Sequence, residues 1–166
     1  METKEKTGLR PIHIIVIHCS ATRENCVYTP EQLDRDHRAR GFSEAGYHFY
    51  IRRSGDIVIM HQLEMVPAHV KGHNRYSEGI CYEGGLNKSA EPTDTRTSEQ
   101  KRMLKLLIHQ LHEKYPTARI CGHRDLSPDL NGDGKISSYE WIKTCPCFDV
   151  EKEFSNYNQP DEKEDK

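Results

Sequence analysis

The chain has 166 residues, 34% of them hydrophobic and 30% charged, with a formal net charge of -2 at pH 7, which suits one domain around one core. Residues 151–166 hold six acidic and three basic side chains, so the remainder is close to neutral, and the basic footprint of a nucleic-acid binder is excluded. No apolar run approaches the roughly 20 residues of a membrane span. Residues 1–10 (METKEKTGLR) lack the apolar stretch of a secretory signal, so synthesis in the cytoplasm, no membrane contact and a monomer are expected.

In chain order, residues 12–18 (IHIIVIH) read as a strand apolar on both sides, the pattern of a strand inside a covered sheet. His18 ends it on the face of Ile14 and Val16. Residues 29–40 read as a helix with Thr29 as N-cap, Pro30 at the first position, Gln32 closing a capping box and Gly41 as the stop. YHFYIRR and IVIMHQ read as strands joined through Ser54-Gly55-Asp56, and GICYEGG as another. Residues 97–115 give the clearest helix. Thr97 and Gln100 fit a second capping box, Leu104, Leu107, Ile108, Leu111 and Tyr115 form its apolar stripe, and Pro116 ends it. ARIC, before Gly122, is a last short strand. The order β, α, β, β, β, α, β predicts an α/β fold: a single domain with a mixed central sheet flanked by helices. The domain is expected over residues 11–154, between a tail at 1–10 and a charged tail at 155–166.

The six cysteines are Cys19, Cys26, Cys81, Cys121, Cys145 and Cys147. Without a secretory signal, reduced thiols or metal ligation are expected rather than disulfides. Cys19, Cys81 and Cys121 read as small buried hydrophobes. His18 after the first strand, His123 after the last, and Cys145 are candidate ligands, because zinc takes nitrogen and sulfur donors and a catalytic site keeps one position open. On spacing alone a histidine at a strand end is more often hydrogen-bonded than ligating, and Cys145 with Cys147 fits a buried thiol pair.

VIHCSAT, GYHFYIRRSG, AHVKGHNRYSEGICYEGG, GHRD and KTCPCFD occur in that order. Together they resemble the zinc-dependent N-acetylmuramoyl-L-alanine amidases of the phage-lysozyme and peptidoglycan-recognition-protein family, over roughly residues 11–154. The resemblance implies that family's fold and a zinc held by His18, His123 and Cys145. It implies active-site roles for Tyr47 and Lys143, and a place for His69 in the substrate groove, which Lys71, His73 and Asn74 would extend. Zinc so held would lower the pKa of a water and polarise the amide carbonyl. Lys143 lies two residues before Cys145, and on an extended segment such positions share a side. Cys147 shares that side too and could compete as a ligand, though the order K-x-C-P favours Cys145.

Residues 129–140 (DLNGDGKISSYE) match the calcium-loop pattern D-x-[DN]-x-[DN]-G-x5-E. Asp129, Asn131, Asp133, the carbonyl of Lys135 and Glu140 would be the ligands, with Ser137 at position 9 and Gly134 at the turn. Pro128 excludes an entering helix. A polar Asn/Asp/Gly turn that binds nothing is the alternative. Some members of that family reach the lysine and cysteine within a few residues of the histidine motif, whereas here 19 residues separate His123 from Lys143. Calcium would then staple the insertion so that Lys143 and Cys145 reach the zinc.

The expected function is hydrolysis of the amide between the lactyl group of N-acetylmuramic acid and L-alanine in peptidoglycan. A phage or prophage lysin acting on the wall after release fits best, with a wall-recycling enzyme as the other context. The rivals are a peptidoglycan-binding module that does not cut, and a calcium-dependent interaction protein whose zinc is structural, its fourth position filled by Cys147.

Overall fold

The apolar run before His18 becomes β1 (Ile14–Cys19), buried along its whole length. A computed structural model describes residues 10–42 and 45–158. The expected tail at residues 1–10, apart from Arg10, and the end of the charged tail beyond Asn158 lie outside the described residues.

β2 (Thr22–Arg23) follows, then α1 (Pro30–Ala39). Thr29 caps α1, its hydroxyl accepting from Gln32 N (3.1 Å) while Gln32 Oε1 accepts from Thr29 N (2.9 Å). A helix of this length is marginal alone, and α1 is held by this box and by the buried Leu33 and His37. β3 (Phe49–Ile51) and β4 (Ile57–Ile59) form the expected antiparallel hairpin, β3 shorter at both ends than predicted and β4 starting as predicted but stopping three residues early. Gly55 takes φ +91° in its turn, a conformation open to glycine. β5 (Ser77–Tyr82) begins two residues before the predicted strand. β6 (Gly85–Leu86) pairs with β2 as a separate two-stranded ribbon that the sequence pattern does not reveal.

α2 (Ser98–Lys114) buries Gln100, Leu104, Leu107, Ile108 and Leu111. Its second capping box does more than cap. Gln100 Nε2 donates to Ile51 O (3.2 Å) and Glu83 O (2.9 Å), tying the helix start to the ends of β3 and β5. β7 (Arg119–Gly122) and the one-turn α3 (Val150–Glu153) complete the elements.

The main sheet runs β4-β3-β5-β1-β7, with every neighbouring pair parallel except β3–β4. The mixed α/β architecture is therefore as expected. On one face Ile15 and Ile17 pack with Leu104, Leu107, Ile108 and Leu111 of α2, joined by Phe148, Val150 and Phe154 from the chain's end. On the other face Ile14 and Val16 pack with Val70 and Cys121, and Leu33 of α1 packs with Tyr50 and Cys81. Asn158 closes the outer edge of β7, accepting from Ile120 N and donating to Ile120 O, both at 2.8 Å. Among the described residues no helix is long and apolar enough to cross a membrane.

Candidate metal centre

β1 and β7 are adjacent and parallel, so His18 at the end of β1 and His123 just after β7 emerge at one edge of the sheet. Carboxyl ends of parallel strands are where open α/β sheets present their sites. The two rings lie edge to face with centroids 4.8 Å apart.

Cys145 reaches this edge from beyond the 129–140 loop. Its carbonyl accepts from Arg124 N (3.0 Å), and its Sγ accepts from Cys19 N (3.2 Å). The next carbonyl, of Pro146, accepts from the buried Tyr82 hydroxyl (2.6 Å). The close approach needs glycine at 122, since a Cβ there would lie 2.7 Å from Pro146 Cδ. His18, His123 and Cys145 then place one donor atom each within 4.8 Å of one another, the only such group of three or more His, Cys, Asp or Glu among the described residues.

The electrostatics suit a cation ligand set. Burial first, then His69, His123 and Lys143, hold His18 well below the usual imidazole range. Burial, then Lys143, pushes His123 down to about 4. Both rings are therefore neutral near pH 7, the form that ligates a metal. The donor set of two neutral imidazoles and a sulfur fits zinc.

Lys143 is exposed on the rim of a groove of about 290 Å³ that also holds Cys19, Gly85, Leu86, Pro92 and Cys145. The Tyr47 ring lies tilted against His18 and His37, with centroids 4.8 Å and 5.3 Å away. Burial raises its phenol well above the usual range, so it stays protonated as a donor. His37, which no sequence motif marks, anchors the Tyr47 loop by accepting from Gly46 N at 2.6 Å.

Of the four groove candidates, only His69 touches the cluster, with Nδ1 2.8 Å from His18 Nε2. Burial is the main cause that pushes its pKa down to about 3. Asn74 turns onto the backbone, its Oδ1 accepting from His69 N and Val70 N. His73 packs edge-on against Tyr76, and Lys71 is exposed. Cys147 is not in the donor group. It takes φ +70°, and its thiol donates to Gly85 O (3.4 Å) and lies 4.0 Å from Cys19 Sγ. Cys19, Cys81 and Cys121 are buried as expected, and Cys26 is exposed.

The 129–140 loop folds onto its own amides. Glu140, only 2% exposed, accepts from Leu130 N, Asn131 N and Ser137 N. Asp129 accepts from Gly132 N and Gly134 N, and Asp133 from Lys135 N. These carboxylates do not gather into a group of three like that at His18.

Comparison with known proteins gives one consistent answer. A family model described as N-acetylmuramoyl-L-alanine amidase matches residues 8–146. The endolysin of Enterobacteria phage K11 is 33% identical over 136 residues, covering 82% of this chain and 81% of that protein. An uncharacterized protein of Haemophilus influenzae is 50% identical over 96 residues, 58% of this chain and 83% of its own. Among solved structures, the N-acetylmuramoyl-L-alanine amidase LysC from Clostridium intestinale superposes with a TM-score of 0.66 at 28% identity, covering 87% of this chain and 82% of that one.

Proposed function

We propose, from the premise that the chain belongs to the N-acetylmuramoyl-L-alanine amidase family, that it is a zinc hydrolase. Its substrate is the amide between the lactyl group of N-acetylmuramic acid and the L-alanine of the stem peptide in peptidoglycan. The observation that carries this reading is the convergence of His18, His123 and Cys145 within 4.8 Å beside Tyr47 and Lys143. His18 and His123 bind as neutral imidazoles and Cys145 as a thiolate. When bound, zinc supplies a Lewis acid that activates water and polarises the scissile carbonyl.

The remaining work falls to this chain's own groups. As the carbonyl carbon turns tetrahedral, negative charge builds on its oxygen and needs preorganised donors. The Tyr47 hydroxyl, kept protonated by burial, and the Lys143 ammonium on the groove rim serve as those donors. The cleft beside Lys143 and Cys145 takes the substrate flanking the cut, and Lys71, His73 and Asn74 extend the groove.

The likeness to a phage endolysin supports a lysin acting on the wall after release, and on this reading it is made in the cytoplasm as a monomer. The pattern of Asp129, Asn131, Asp133, Lys135 and Glu140 supports calcium as a brace for the insertion. If the double variant Asp129→Ala/Asp133→Ala melts and works like wild type at every calcium level, the brace does not exist.

Mass spectrometry of products from purified peptidoglycan tests the main reading. Release of stem peptides with a free alanine amino terminus, lost with a zinc-selective chelator and restored by zinc, is expected. No release by zinc-loaded protein from several wall types would leave a binding module instead.

A further inference from the structure

The roles above leave His69 without a function of its own and Ser77 unused. The His69 ring bridges them. Its Nδ1 is 2.8 Å from His18 Nε2 and its Nε2 is 2.6 Å from Ser77 Oγ. Ser77 is fully buried at the start of β5, opposite Ile14. The ring has room because residue 79 is glycine, where a Cβ would stand 2.7 Å from His69 Nδ1. Its backbone is fixed as well, since one side-chain oxygen of Asn74 accepts from His69 N (3.1 Å) and Val70 N (3.0 Å).

The geometry points to His69, backed by Ser77, as the positioning residue that orients the metal ligand His18, and not as a contact of the substrate. This rests on the zinc reading above. An imidazole that ligates through one nitrogen carries its proton on the other, and that N–H needs an acceptor to fix the ring. His18 Nε2 is already engaged by His69, which leaves Nδ1 for the metal. His18 Nε2–H must then donate to His69 Nδ1. That consumes the Nδ1 lone pair and puts the His69 proton on Nε2, where Ser77 Oγ accepts it. Only this polarity satisfies the whole chain of contacts once His18 is a ligand. His69 itself stays outside the three-donor group, so it supports a ligand and is not a fourth one.

Zinc affinity of the full chain, measured by competition with a chromophoric chelator, tests the inference without using activity. His69→Ala is expected to weaken zinc binding about 10–100-fold, the usual effect of losing such a support. Ser77→Ala is expected to weaken it less. His69→Asn, whose side-chain oxygen falls where Nδ1 lies, is expected to recover most of the loss. Nitrogen-15 NMR of the zinc-loaded wild type should find both His18 and His69 protonated at Nε2. If His69→Ala fails to fold, Ser77→Ala and the two tautomers decide the matter. Zinc affinity within twofold of wild type in His69→Ala, with a raised KM for peptidoglycan fragments, would overturn the inference and return His69 to the substrate groove. Wild-type protein that takes up no zinc would sink the metal reading itself, and this inference with it.

Discussion

Cys145 and Cys147 stand two residues apart, and alternation along an extended chain gives their sulfurs the same direction. The backbone does not stay extended: Cys147 sits at φ +70° and its thiol turns to Gly85 O and Cys19. A sequence pattern carries no sign of that φ, so alternation alone leaves both sulfurs as candidates, whereas the fold gathers only Cys145 with His18 and His123. Cys147→Ser is accordingly expected to keep one zinc per chain, measured as metal content after gel filtration, while Cys145→Ser loses it. Loss of zinc in Cys147→Ser would revive a closed, four-ligand structural site. Tyr47 makes the complementary case at the same scale. Tyr47→Phe removes one hydroxyl and leaves the ring against His18, so kcat should fall about 10²–10³-fold, as for other lost oxyanion donors, with zinc content unchanged. A change confined to KM would assign Tyr47 to packing.

Elements were legible where their chemistry is local. Both helix starts follow from Thr29 with Gln32 and Thr97 with Gln100, because a capping box is closed within four residues. Strand ends were less legible, since pairing stops where a neighbour stops. β3 keeps three of the seven residues read as a strand, its register with β4 and β5 covering Phe49–Ile51. The β2–β6 ribbon is two residues long and has no period to detect. The 129–140 loop is the hardest stretch to read, for its return path is set at a distance by Arg124 N on Cys145 O and by Tyr82 on Pro146 O. Gly122 is the hinge of that return. Gly122→Ala drives a Cβ to 2.7 Å from the Pro146 ring, which cannot swing away as a flexible side chain would. Overpacking of this kind costs about 1–3 kcal/mol, and the strain falls on the segment carrying Cys145. Urea unfolding should shift by that amount and zinc affinity should drop with it. Wild-type values for both would mean that Pro146 does not seat Cys145.

For the molecule as a whole, the parallel order of β1 and β7 brings His18 and His123 to one edge, where His18 and His37 are buried and His69 and His123 half-buried. All four are held below the ordinary imidazole pKa, each chiefly by burial. The consequence for stability has a definite sign. In the unfolded chain these rings titrate near 6.5, whereas in the fold His123 holds out to about 4 and His69 to about 3. Below pH 6.5 the unfolded state therefore binds more protons, and stability falls as pH falls. The contribution is complete above pH 6.5 and is lost progressively toward pH 3–4, starting above the range where ordinary carboxylates titrate. Metal-free protein should thus melt at nearly constant temperature from pH 8 to 7 and at steadily lower temperature from pH 6.5 to 4.5. Calorimetry in buffers of different ionisation enthalpy should find uptake of roughly three protons on unfolding at pH 5.5. Unfolding that takes up no protons there would mean that these histidines are already charged in the fold. Their rings would then be unfit, as they stand, to receive a metal.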